Sequence, residues 1–241
     1  VAFGIPGVDD RYASLKTRAC AEVGIEVVQV LVPPTATTTG AVRRTLDLVE
    51  SGCIDALFLQ FPFPDGVDRA ALIEAVPEEL DVDAMTEGRT RRYHGSITEP
   101  PPLTVAACLA LLGDFGLDVH GLHGVLVCEP SPFAEVFKEA LSRRGTSMAL
   151  VPPGTVPSEP LVREAGLVVV AAASPGLVQS KDLAPGAVVI DAGYFNPGGI
   201  GDVDTTGGVD HLLALGPVPG GIGPMVISKL IDRVIEFAID S

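Results

Sequence analysis

Apolar and polar positions along this chain come in short blocks whose spacing switches between two periods. Residues 1–5 form an apolar run that reads as a buried strand. Asp9 and Asp10 then offer an N-cap, and 11–22 reads as a helix ended by Gly24. An apolar strand is predicted over 27–32, a helix over 40–50, a third strand over 54–60 and a short helix over 68–76. A longer helix is predicted over 102–112. Past Gly121 the alternation restarts, with a strand at 125–128, a helix at 133–143 and strands at 148–151, 167–171 and 187–191. The closing stretch 225–239 places Ile227, Leu230, Ile231, Val234 and Ile235 at helical spacing. Strand and helix taken in turn predict an α/β architecture of parallel sheets covered by helices. The change near 116–121 predicts a boundary between two lobes. Because the first strand begins at Val1, a preceding N-terminal segment is expected.

The 241 residues are 47% hydrophobic, enough for one large domain or two small α/β lobes. A formal charge of −15 argues against non-specific nucleic-acid binding, which needs a basic footprint. No apolar run reaches the length of a bilayer span, and no signal-peptide pattern is visible, so no membrane partner is expected. Cys20, Cys53, Cys108 and Cys128 form no CxxC pair and read as free thiols in a reducing cytoplasm. His94, His120, His123 and His211 show no ligand spacing, so no metal is expected. No GxSxG elbow supports serine hydrolase chemistry.

Four local patterns can carry chemistry. Tyr12 and Lys16 stand four apart, on one face of the first helix. A ring there can stack on a flat heterocycle, and a desolvated lysine can move protons; a solvated helix face is the plainer alternative. Gln60 precedes Phe-Pro-Phe-Pro64, whose alternating prolines fix the chain direction at a strand exit. Asp81 and Asp83 present two carboxylates on one side of an extended segment, suited to acid–base work, to a hydrogen-bonded aminopyrimidine ring, or to solvent alone. Pro217-Val-Pro-Gly-Gly-Ile-Gly-Pro-Met225 opens the last helix with glycines that let backbone approach a ligand. It matches neither GxGxxG nor the Walker spacing.

Taken in order, Tyr12-x-x-x-Lys16, Gln60-Phe-Pro-Phe-Pro, Asp81-Val-Asp83, Gly201-Asp-Val-Asp204 and the 217–225 string resemble the FolD family. These are the bifunctional methylenetetrahydrofolate dehydrogenase/methenyltetrahydrofolate cyclohydrolases. Ala21-Glu-Val-Gly-Ile25 and Pro185-Gly-Ala-Val-Val-Ile-Asp-Ala-Gly193 resemble it too. The resemblance implies two lobes around a cleft, with a folate-binding catalytic lobe of 1–117 plus 224–241. A Rossmann-type lobe for NADP would span 118–223, the last helix would return to the first lobe, and the whole would form a homodimer. It implies Lys16 as the catalytic lysine, Tyr12 as the ring stacked on folate, Gln60 as the partner of Lys16 and Asp83 as the anchor of the pterin. Pro219, Gly220 and Gly223 would line the substrate, a tetrahydrofolate derivative.

The second lobe departs from the family. Where the family carries Gly-Arg-Ser-x-x-Val-Gly-x-Pro, this chain reads Cys128-Glu-Pro-Ser-Pro-Phe-Ala-Glu-Val136. Cys128, Glu129 and Pro130 thus stand at cofactor positions, as does Tyr194 near the nicotinamide. Pro152 and Pro153 replace a His-Ser pair. In the first lobe Ala84 replaces a glycine and Val226 a threonine. Arg89, Arg91 and Arg92 are either a solvated charge run or partners for the folate's glutamate carboxylates. The residues therefore carry cyclohydrolase chemistry better than dehydrogenase chemistry, with NADP or NAD as the cofactor of the latter. The alternatives are a dehydrogenase-impaired paralogue serving a specialised pathway and a non-catalytic folate-binding protein.

Overall fold

Strands buried on both faces need no polar alternation, and the Val-rich runs of the C-terminal half behave this way. In the computed structural model, which describes residues 2–4, 11–61, 63–194 and 199–240, those runs pair in one parallel sheet. Packing divides the chain into two compact units, Val1–Gly95 with Ile227–Ser241, and Ser96–Val226.

The first unit begins with β1 (Ala2–Gly4) and β2 (Gln29–Leu31), which pair in parallel, Ala2 opposite Gln29. Between them runs α1 (Arg11–Glu22). α2 (Thr38–Glu50) starts at Thr37, whose side chain accepts from the Gly40 N–H. α3 (Arg69–Ile73) starts at Asp68, which accepts from Ala71 N. Leu57, Leu59, Leu72, Ile73 and Val76 bury together against Ala41. The predicted strand 54–60 does not form. It makes one parallel bridge, Leu57 to Asp81, with Leu57 N donating to Leu80 O at 2.7 Å. Pairing stops there because the partner segment turns: Ala84 N donates to Asp81 O, and Ala84 takes φ 56°. α4 (Glu87–Gly95) lacks an apolar stripe and carried no helix signal; of its residues Thr90 and Tyr93 are buried. The expected N-cap at Asp9 and Asp10 lies outside the described residues.

The second unit opens with α5 (Leu103–Asp114). It continues with β3 (His123–Val127), α6 (Pro132–Ser142), β4 (Ser147–Val151), α7 (Pro160–Glu164) and β5 (Leu167–Val170). Then come β6 (Val178–Gln179), β7 (Val188–Asp191), β8 (Val203–Asp204) and β9 (Ala214–Gly216). The sheet order is β4-β3-β5-β7-β9, all parallel, and β6 pairs with β8 beside it. Val125, Val127, Val168, Val170 and Val189 form its core with Val151 and Val178. The chain leaves β3 for β4 on one side and returns to β5 on the other. The carboxyl ends of β3 and β5 are therefore the topological switch point, where doubly wound sheets bind ligands. α8 (Ile222–Asp240) ends the chain, and its residues from Ile227 on pack with the first unit.

Candidate active site

Helix α1 aligns Tyr12, Lys16 and Cys20 at intervals of four, one stripe along its length. Lys16 is only 6% exposed, and Cys20 is buried beside it. A buried ammonium loses its water and needs polar partners. Lys16 Nζ donates to Gln60 Oε1 at 2.7 Å and stands 4.2 Å above the Tyr12 ring and 3.9 Å from that of Phe58. The Gln60 amide is held the right way round, because its Nε2 donates to Phe61 O at 2.8 Å and leaves Oε1 for the lysine. Lys16, Gln60 and Tyr12 thus come together, the arrangement that the family resemblance implies. Pro62 of the turn after Gln60 lies outside the described residues.

Phe58 was not among the sequence candidates. Its signal was present: Phe58 and Gln60 are two apart in an extended segment and so share a face.

The two carboxylates of 81–83 divide their work. Asp81 is buried, and its Oδ2 accepts the Thr86 N–H at 2.9 Å just before α4. That is a structural role. Asp83 is half-buried. Between them Val82 O accepts from Arg233 Nη1 of α8 at 3.1 Å. Arg233 is buried; burial pulls its pKa down, and Asp83, Glu236 and Asp81 act against that. Guanidinium stays cationic regardless. Arg233 is a second residue the sequence did not single out. On α4, Arg91 pairs with Glu87, Arg92 with Glu78, and Arg89 lies 5.5 Å from the Phe237 ring.

Pro219, Gly220 and Gly223 belong to the second unit, as do Cys128, Glu129, Pro130 and Tyr194. Gly220 has φ 100°, and a Cβ on Gly221 would meet Pro217 O at 2.5 Å, so only glycine permits this entry to α8. Two buried acids organise the end of the sheet. Asp191 accepts from Gly193 N, Asp202 N and Val203 N. Asp202 accepts from Ala172 N and Ser174 N, both at 2.7 Å. Burial pushes both carboxyls up in pKa, against the pull of those N–H groups. Among the described residues no three His, Cys, Asp or Glu side chains are placed to hold a metal, and no helix is long and apolar enough to cross a membrane.

Comparison with known proteins places these features in a family. Residues 102–241 match the tetrahydrofolate dehydrogenase/cyclohydrolase NAD(P)-binding domain, and residues 6–83 match the catalytic domain of the same enzymes. The bifunctional protein FolD of Shouchella clausii is 31% identical over 160 residues, 66% of this chain and 57% of that protein. That of Methanospirillum hungatei is 30% identical over 127 residues, 53% of this chain and 46% of that protein. The chain thus aligns with about half the length of these curated relatives. The Trypanosoma brucei methylenetetrahydrofolate dehydrogenase-cyclohydrolase, solved with NADP and an inhibitor, superposes with a TM-score of 0.85. It shares 25% identity over 99% of this chain and 86% of that one.

Proposed function

The chain belongs to the tetrahydrofolate dehydrogenase/cyclohydrolase family, and from that premise we propose that it hydrolyses a methenyl-bridged tetrahydrofolate with Lys16 as its proton carrier. The methenyl group is a cation delocalised over two nitrogens and the carbon between them. Water adds to that carbon and gives up a proton; a carbon–nitrogen bond then breaks, leaving a formyl group on one nitrogen and the electron pair on the other. A proton must therefore leave oxygen and another must be placed near nitrogen. Lys16 Nζ holds and moves the proton, and Gln60 Oε1, 2.7 Å away, keeps the amine aimed. The Tyr12 ring fixes the plane of the stacked heterocycle, and Asp83 accepts from the amino-pyrimidine edge. Pro219, Gly220 and Gly223 supply close backbone contact to the substrate. No step of this hydrolysis uses a dinucleotide.

The single observation that supports this reading most is a buried lysine held by a neutral amide, with two aromatic rings against its ammonium. Replacing Lys16 by Ala tests it. Hydrolysis of methenyltetrahydrofolate should fall by about 10²–10⁴ while the melting profile stays cooperative. Undiminished turnover in that variant would sink the assignment.

In this proposal residues 1–117 with 224–241 serve folate and catalysis, and 118–223 form the Rossmann-type part. A homodimer through the second unit is part of the same reading. The edge position of β4, with half-buried Met148, Ala149 and Leu150, supports it. The unbridged cysteines support a reducing, cytoplasmic setting.

A further inference from the structure

Members of this family pair hydrolysis with hydride transfer to a nicotinamide dinucleotide, and the matched C-terminal domain is the one that takes it. The residues at the switch point of this chain do not fit that group. A dinucleotide needs its pyrophosphate seated on free N–H groups at the end of β3 and the start of α6. Here Cys128 N already donates to Val151 O at 3.2 Å. Pro130 and Pro132 have no N–H to offer. Ser131 caps the helix, its Oγ accepting from Ala134 N at 3.2 Å, and Glu135 N donates to Ser131 O at 3.1 Å. The Glu129, Ser131 and Phe133 N–H groups are what remain, and Glu129 brings its own carboxylate to them. Cys128 and Ala134 each carry a Cβ where a phosphate-binding turn uses glycine for close approach.

Charge points the same way. Glu129 and Glu135 flank this turn, and the first cation on α6, Lys138, lies 3.0 Å from Glu135. Anions there are repelled by like charge. The neighbouring turn after β5 is the other anion-binding concavity of the switch point, with Ala173 at φ 51° between the Ala172 and Ser174 N–H groups. Both of those donors already hold the Asp202 carboxylate. After β4, where a ribose or its phosphate is read, Pro152 and Pro153 supply neither a donor nor a charge. Thr155 turns both its N–H and its hydroxyl back to Pro152 O.

We infer that the second unit seats neither NADP nor NAD, so that this chain carries the hydrolytic half of the reaction alone. This deepens the reading proposed above and rests on it for the identity of the substrate. Its methenyl substrate must then come from a separate reaction. By its chemistry that is a two-electron oxidation of a methylene-bridged folate, in which the methylene carbon gives a hydride to an acceptor held by another enzyme.

The test is calorimetric titration of the wild-type protein with NADP and with NAD, each with and without 5-formyltetrahydrofolate as folate probe. A cooperative melt of the same preparation certifies the fold. No heat of binding up to millimolar nucleotide is expected, and no reduction of NADP with methylenetetrahydrofolate. A micromolar dissociation constant for either nucleotide, or hydride transfer at a measurable rate, would overturn the inference. Nucleotide-free hydrolysis of methenyltetrahydrofolate, assayed alongside, decides the proposed function separately: its absence would remove that reading without opening the nucleotide site.

Discussion

Ala84 and Ala173 both lie in the left-handed backbone region, at φ 56° and φ 51°. For a residue with a Cβ this conformation costs about 1–2 kcal/mol. Glycine removes that strain but gives back about 0.5–1 kcal/mol through the freedom of its unfolded chain. Ala173 is exposed, so its methyl contributes little to packing. Changing Ala173 to Gly should therefore stabilise the protein by about 0.5–1 kcal/mol, read from the midpoint of urea unfolding. Ala84 is almost fully buried. Losing its methyl costs about 0.8 kcal/mol more, which cancels the gain, so Ala84 to Gly should leave the midpoint nearly unchanged. Equal shifts at the two sites would mean that burial does not separate them. The contrast matters for function because Ala84 follows Asp83, and the turn that strains it is the one that ends pairing with the Leu57 segment.

A buried contact, Arg233 Nη1 to Val82 O, joins helix α8 to the 81–83 segment. Replacing Arg233 with Met leaves that carbonyl buried without its donor, a loss of about 1–3 kcal/mol. It also removes the cation beside Asp83. The expected result is a KM for methenyltetrahydrofolate raised about tenfold, a change of ~1.4 kcal/mol in binding, with kcat changed far less. Arg233 to Lys, which keeps a charge and a donor, should recover part of it. An unchanged KM in a folded Arg233 to Met variant would show the contact to be structural only. This contact also marks where the sequence becomes illegible. Its partners lie 151 positions apart, and neither carries a periodic signal. By contrast, helical spacing alone set Tyr12 beside Lys16, whereas the meeting of Gln60 with Lys16, 44 positions away, followed only from the family resemblance. Strands β3, β5 and β7 were readable because burial on both faces makes them unbroken apolar runs. The strand expected at 54–60 had the same apolar signal, but a strand also needs a partner, and its partner turns away after Asp81. Two-residue strands such as β6 and β8 hold too few positions to show any period.

The protein as a whole carries a formal charge of −15, and its two most organised carboxyls are disposed against ionisation. Burial raises Asp191 and Asp202 above the ordinary 3.8, so each binds its proton at a higher pH when folded than when unfolded. Their contribution to stability is complete below 3.8 and is lost as pH rises through the raised values. Acidification from neutrality into that window therefore favours the folded state at these two sites. It also reduces the self-repulsion of the negative surface. Asp204 is shifted the other way by its hydrogen bonds with Thr206, but it keeps part of its surface in water, which screens it. Asp191 and Asp202 should thus favour folding as pH falls toward 3.8, while relief of surface repulsion lets the melting temperature hold or rise between neutral pH and about 5. Added salt at neutral pH should raise it as well, because screening weakens repulsion between exposed like charges. Differential scanning calorimetry in low-salt buffers reads both effects. A steady fall in melting temperature over the same interval would mean that favourably paired acids outweigh the relief of surface repulsion.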